Sequence, residues 1–318
     1  MDHKDKILVA IYMLTYNHEK YVAQCIESVL NQKLNGNLLL VIGEDCSTDE
    51  TRKICLEYKN KYPERIHLIL HTPNVGPVEN GKSVYNYCIA SGAKYIAPMD
   101  GDDYWTDEYK IQKQVDFLDA NPEYVVSYHN AIQISDDPNF ISSDALPESE
   151  QRDYSASELI KGPWLLVCTL FYRNVIQTLP KEIDTVMNQE NFLTVLLGEH
   201  GAGKFQKEIL PSVYRVHSGG IWSGVNQEKQ WNSQAHTYFQ LVNYFKRKNK
   251  VNQVKYFLDL YLKKKKAVYN LQLKEVSNDA ANNTKKETLK NIKKFAGWRV
   301  YFACRNQFKS IQKSSTIN

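Results

Sequence analysis

An apolar run, Tyr95-Ile-Ala-Pro-Met99, ends abruptly in Asp100-Gly101-Asp102-Asp103, three carboxylates within four positions. Like charges this close repel, and at a strand's end they stay ionised only with positive charge among them. A divalent cation is the natural guest. Hard Mg²⁺ or Mn²⁺ prefers carboxylate oxygens and leaves coordination positions open for substrate phosphates. An isolated Asp-Gly-Asp-Asp equally suits a solvated acidic turn, so the surrounding chain has to decide.

Ile7-Leu-Val-Ala-Ile-Tyr-Met-Leu14 is near-continuously apolar, as a parallel strand covered on both faces would be. After the break at Thr15-Tyr16-Asn17-His18-Glu19, Val22, Cys25, Ile26, Val29 and Leu30 recur at helical spacing. Leu38 to Gly43 reads as a second strand, closing on Glu44-Asp45-Cys46-Ser47-Thr48-Asp49. Ser47 or Thr48 can cap the helix that follows to about Lys61, and Asp45 or Asp49 can be acids complementing that helix's dipole. Ile66 to Leu70 is a third strand, with a turn at Asn74-Val75-Gly76-Pro77 and a helix from about Glu79 to Ala90. The run before the carboxylates is the fourth strand, and Asp107 to Ala120 is a helix ending near Asn121-Pro122.

Strand, turn and helix thus alternate four times, which predicts βαβ units and a mostly parallel α/β sheet flanked by helices. Ligands of such sheets gather beyond the carboxyl ends of the strands. Residues 15–19, 44–49 and 100–103 all follow strands and so share one rim. No Gly-x-Gly-x-x-Gly follows the first strand and no P-loop is present, so phosphate is not held by a glycine cradle. The pattern is that of a metal-dependent nucleotide site without a P-loop.

These segments resemble glycosyltransferase family 2, inverting enzymes of the GT-A fold. Leu14-Thr-Tyr-Asn-His-Glu19 with Ser28-Val-Leu-Asn-Gln32 is similar to the family's opening motif. Glu44-Asp45-Cys46-Ser47-Thr48-Asp49 resembles its Asp-Asp-x-Ser-x-Asp, and Asp100-Gly101-Asp102 its Asp-x-Asp metal motif. A fourth segment is Gln189-Glu190-Asn191-Phe192, then Gly201, then Tyr214-Arg215-Val216-His217. Relatives carry an Asp about eleven residues before that Gly, and Glu190 stands at this distance. Glutamate keeps the carboxylate one methylene further out, whereas Asn191 has no basic oxygen. This departure opens a second reading, a sugar-nucleotide binder or membrane-docked assembly partner without turnover.

The resemblance implies a nucleoside diphosphate sugar as donor, UDP-linked in the first instance, and Mg²⁺ or Mn²⁺ as cofactor. It implies Glu190 as the base that takes the acceptor hydroxyl's proton, with Asp103 near the donor sugar or that base. Asp102 and His217 would hold the metal. Thr15, Tyr16, Asn17, Glu19 and Asp45 would hold the nucleoside, Asp100 the ribose or metal, and Arg215 the phosphates or a carboxylate. Trp105 and Trp222 suit a sugar platform or core packing, while His18 and His129 read as structural. The acceptor would be a glycan or a lipid-linked saccharide in bacterial surface polysaccharide or lipopolysaccharide synthesis. A nucleotidylyltransferase also uses strand-end carboxylates, but begins with a glycine-rich loop that residues 14–19 lack.

Residues 136–153 read as a polar insertion, and Gly162 to Arg173 as a strand returning to the core. Charge then divides the chain. Residues 241–318 carry 19 Lys/Arg against 4 Asp/Glu, and residues 1–240 carry 21 against 32. The organisation expected is a GT-A catalytic domain over 1–226, nucleotide-binding to about 130 and acceptor-shaping beyond. A helical basic extension over 227–318 would follow. Val254, Phe257, Leu258 and Tyr261 form one helical stripe, and Lys263 to Lys266 would close that helix. Further on, Ile292, Phe295, Trp298 and Phe302 interleave with Lys293, Lys294 and Arg299. That pattern suits an anionic membrane surface or a solvated basic face packed on the catalytic domain. No nucleic-acid recognition motif accompanies the charge. With 42% hydrophobic residues the chain can bury a sizeable core, yet no run approaches a membrane span. No opening signal peptide is visible, and six cysteines without a Cys-x-x-Cys pair suit reduced thiols. The expected location is cytoplasmic, peripheral on the cytoplasmic membrane face if the tail docks there.

Overall fold

The computed structural model describes residues 6–220 and 225–279. Its first part alternates β1 (Ile7–Thr15), α1 (Val22–Leu30), β2 (Asn37–Glu44), α2 (Thr51–Lys61), β3 (Ile66–Leu70), α3 (Pro77–Ala90), β4 (Tyr95–Asp100) and α4 (Lys110–Ala120). Then come β5 (Tyr124–Tyr128), β6 (Ala131–Ser135), β7 (Ser143–Asp144), the short α5 (Ala156–Leu159), β8 (Phe171–Arg173), α6 (Gln189–Leu197), β9 (Ala202–Phe205) and β10 (Ser212–Val216). The described strands form a seven-stranded sheet in the order β3-β2-β1-β4-β8-β5-β9 and a three-stranded one, β10-β6-β7. Parallel pairing runs from β3 through β4, and β8 alone is inserted antiparallel to both its neighbours.

Unbroken apolar runs make this arrangement. Val9, Ala10, Ile11 and Met13 of β1 and Ile96, Ala97 and Met99 of β4 are fully buried, which only a strand covered on both faces allows. Each large aliphatic side chain so buried contributes ~1.5–3 kcal/mol. Register does the positioning: Leu14 pairs with Asp100 and Thr15 with Glu44, so the polar ends of β1, β2 and β4 finish level.

Three elements depart from expectation, each because named side chains take up the backbone or carboxylate groups there. Helix α4 begins at Lys110 and not at Asp107, because the Asp107 carboxylate accepts from Tyr109 N at 2.9 Å, Leu210 N at 3.1 Å and Lys113 Nζ at 2.7 Å. The stretch 162–173 is a strand only over β8. The Cys168 carbonyl accepts from Trp105 Nε1 at 2.8 Å and Ser212 Oγ at 3.1 Å, so side chains replace a ladder there. No side chain caps α2; Asp49 instead accepts from Thr51 N at 3.0 Å inside the turn.

Contacts divide the chain into two units, Met1–Gly224 and Val225–Asn318. In the second, α7 (Gln227–Arg247) is capped by the Asn226 side chain on Lys229 N at 3.0 Å. Asn249, at φ 57°, turns the chain into α8 (Val251–Asp279). Phe245 stacks on Phe257 at 5.6 Å, and Val254, Phe257 and Leu258 are buried as the stripe predicted. Lys263 to Lys266 do not end α8, which continues to Asp279. Lysine and alanine are good helix formers and no breaker follows them. Among the described residues no helix is long and apolar enough to cross a membrane. The Ile292–Phe302 pattern and Trp222 lie outside the described residues.

Candidate active site

At the level ends of β1, β2 and β4, two loops lock together before any ligand is considered. Asn17 N donates to Ser47 Oγ at 3.0 Å, and the Asn17 side-chain oxygen accepts from Thr48 N at 2.8 Å. Glu19 N donates to Asp49 Oδ2 at 3.1 Å, while the Glu19 carboxylate accepts from Glu50 N at 3.0 Å. Both oxygens of buried Asp45 are likewise engaged, by Val75 N at 2.7 Å and Gly76 N at 2.9 Å. Asn17, Glu19 and Asp45 therefore hold the rim's shape; Asp45 is buried, whereas Tyr16, Asn17 and Glu19 are exposed. Thr15 is buried, with its hydroxyl 3.3 Å from His18 Nδ1.

The turn after β4 brings the carboxylates in. A side chain at Gly101 would place Cβ 2.7 Å from Thr15 Oγ1 and 3.0 Å from His18 Nδ1, so the middle position has to be glycine. Asp102 Oδ2 lies 3.0 Å from His217 Nε2 and 3.7 Å from His18 Nε2. Burial pushes the Asp102 carboxyl up, but the His217 hydrogen bond and the neighbouring His18 outweigh it and hold it below the usual range. Burial lowers His18, against the opposing charge of Asp102. One ligand atom from each of His18, Asp102 and His217 falls within 4.8 Å of the others. Two imidazoles and a carboxylate fit a divalent cation. His18, read from the sequence as structural, is thus a residue that the sequence reasoning missed.

Asp100 and Glu190 form the second charge centre. Burial, then the charges of Asp102 and Glu190, raise the Asp100 carboxyl to about 8. Glu190, in the first turn of α6, is also raised by burial. Behind them the Tyr12 hydroxyl and the Gln189 side chain approach Gly81 so closely that a Cβ there would come within 2.6 and 2.7 Å of them.

Asp103 is held from β10. It is 1% exposed, burial raises its carboxyl well above the usual range, and Oδ1 accepts from Arg215 N at 2.9 Å. It fixes β10, the strand that leads to His217. The Arg215 guanidinium lies between the rings of Tyr21 and Tyr104, at 4.9 and 4.7 Å, and donates to the Asp102 carbonyl and to Gln24 Oε1. Beside His217 opens a cavity of about 730 Å³, lined by Asn17, Glu19, Lys20, Tyr21, Asp49, Asp136, Phe140 and Ser218 among others. That volume falls in the range of small-molecule sites. Trp105 is buried and donates to Cys168, so it belongs to the core.

The model of the family described as Glycosyl transferase family 2 matches residues 10–191, more than half of the chain. An uncharacterized protein of Mycobacterium tuberculosis is 31% identical over 233 residues, 72% of this chain and 65% of its own length. The chain therefore spans less than two thirds of that relative. The minor teichoic acid biosynthesis protein GgaA of Bacillus subtilis is 33% identical over 117 residues, 35% of this chain and 25% of its own. Among solved structures, S. aureus TarS 1-349 in complex with UDP-GlcNAc matches with a TM-score of 0.56 at 17% identity, covering 81% of this chain and 73% of its own. Mannosyltransferase PcManGT from Pyrobaculum calidifontis, in complex with GDP-Man and Mn²⁺, matches with a TM-score of 0.55 at 12% identity, covering 97% and 84%. At those identities the likeness is one of fold.

Proposed function

Because the chain belongs to glycosyl transferase family 2, we propose that it transfers a sugar from a nucleoside diphosphate sugar, UDP-linked, to a glycan or lipid-linked acceptor with inversion. The setting we propose is polysaccharide assembly at the cytoplasmic face of the membrane, in line with the teichoic acid relative. Residues 1–226 would be the catalytic domain and the basic helices an extension that meets the membrane.

The observation that carries this reading is the convergence of Asp100, Asp102, Glu190 and His217 on one rim, with an open cavity beside His217. Glu190 takes the proton of the acceptor hydroxyl as that oxygen attacks C1 of the sugar. The C1–oxygen bond to the diphosphate breaks on the opposite face, which inverts the anomeric centre. A raised carboxyl suits a base that works near neutrality. Asp102 and His217 would hold a divalent cation, Mg²⁺ or Mn²⁺, which supplies charge stabilisation for the departing diphosphate. Arg215 fixes the backbone of Asp102, and Asp103 fixes that of Arg215. Tyr16, which is exposed, would cover the nucleoside base.

The test is release of nucleoside diphosphate from UDP-, GDP- and dTDP-sugars over mixed acceptors, with Mn²⁺ and with EDTA. Release from one donor that stops with EDTA supports the reading. Tight UDP binding with no release from any donor would turn it into a binding protein.

A further inference from the structure

We infer that His18 is a third protein ligand to the cation, completing with Asp102 and His217 a two-histidine, one-carboxylate site. Such a site takes a transition-metal dication of the Mn²⁺ class before any nucleotide arrives. The inference rests on the cation site proposed above and extends it in ligand set, metal preference and order of binding.

Geometry comes first. His217 Nε2 and His18 Nε2 lie 3.0 and 3.7 Å from the same oxygen of Asp102, and the three ligand atoms span no more than 4.8 Å. Atoms each about 2.1 Å from one ion can lie up to ~4.2 Å apart. A shift well under ~1 Å therefore closes the set around an ion. The rings of His18 and His217 stand at 82° with centroids 6.1 Å apart, so neither blocks the other's approach.

His18 is also held in the pose that a ligand needs. A metal-binding imidazole engages its other nitrogen with a neighbour that fixes ring and tautomer. Here Nδ1 faces the buried Thr15 hydroxyl at 3.3 Å, which leaves Nε2 toward Asp102. The His18 backbone N donates to Thr51 Oγ1 at 2.7 Å, tying the loop to α2. Gly101 adds a separate sign, because any side chain there would strike both Thr15 and His18.

The donor set then decides the metal. Mg²⁺ prefers oxygen and keeps its waters, so one carboxylate gives it little hold until substrate phosphates arrive. Imidazole nitrogen favours the first-row transition metals. Three protein ligands leave further positions for a diphosphate and bind such an ion without it.

The experiment is titration of the full chain with MnCl₂ alone, read by electron paramagnetic resonance, with nitrogen couplings counted by pulsed methods. Parallel titrations use MgCl₂ in competition and Mn²⁺ with UDP. Wild type is expected to bind Mn²⁺ at least tenfold tighter than Mg²⁺, with two imidazole couplings. His18→Ala should weaken Mn²⁺ at least about tenfold and leave one coupling. His18→Gln and Gly101→Ala, checked for native circular dichroism, should weaken it in the same direction. Unchanged affinity and a single coupling in both wild type and His18→Ala would overturn the inference while leaving the Asp102–His217 site standing. Binding only in the presence of UDP would likewise overturn it. No Mn²⁺ binding with or without UDP would remove the cation site as well.

Discussion

Asp100 and Lys110 stand ten residues apart in sequence, and the two polar clusters they belong to are built on opposite plans. Behind the rim, fully buried Lys110 donates to Gln114 Oε1 at 2.7 Å and lies 4.3 Å above the Trp105 ring. Gln114 donates on to the Ser127 and Thr169 carbonyls, both at 3.2 Å, and Trp105 to that of Cys168. That network closes on backbone groups and joins α4, β5 and the segment before β8. On the rim, Asp100, Asp102 and Glu190 stand together while histidine nitrogens are the neighbours of only one of them. A closed network is a scaffold, since every link it makes is internal. An assembly of crowded carboxylates, ionised together only when positive charge stands among them, calls for a charged guest from outside.

The comparison breaks most visibly at Glu190. Glu190→Gln should lower transfer by about 10²–10⁴-fold while leaving Mn²⁺ and UDP binding and the melting temperature unchanged. In the wild type, burial raises this carboxyl, so the base form exists above that raised value and is lost as pH falls through it. The acid limb of a kcat/KM profile should therefore lie above the ordinary glutamate range, and the variant should lack it.

Lys110 should behave the other way, changing stability and not chemistry. Burial lowers its ammonium to about 7, against an unfolded value near 10.4. Between those values the unfolded chain holds the proton and the folded chain does not, so stability rises with pH across that window. Lys110→Met should remove that rise, a difference on the order of 2 kcal/mol between pH 7 and 9.5 in urea titrations. A smaller effect is expected where the two plans meet. Arg215→Lys keeps the charge but loses the planar fork between Tyr21 and Tyr104, and should cost about tenfold in kcat/KM, with a wild-type melt.

Much of this was legible in the sequence. Continuous apolar runs gave β1 to β4 almost to the residue, and polar breaks after β1, β2 and β4 predicted one shared rim. The errors fall where side chains from distant parts of the chain replace local signals. Asp107 reads as a helix start until Leu210 and Lys113 claim its carboxylate. Residues 162–170 read as a strand until Trp105 and Ser212 claim the Cys168 carbonyl. Nor does anything beside Asp103 say that the backbone of a strand more than a hundred residues on will hold one of its oxygens. His18 carried only one weak signal, its place in the first loop of the rim. Nothing local says that Asp102, in the turn after another strand, will stand beside it.

The central claim is that the rim's clustered carboxylates and histidines await a cation. The measurement closest to it is the Mn²⁺-induced change in melting temperature of wild type, Glu190→Gln and Asp102→Asn. At about 100 times the dissociation constant, a bound ion adds ~2.7 kcal/mol, some 5 °C or more for a domain of this size. The account predicts that rise in wild type and Glu190→Gln, and its loss in Asp102→Asn. An equal rise in all three, or none in wild type, would contradict it.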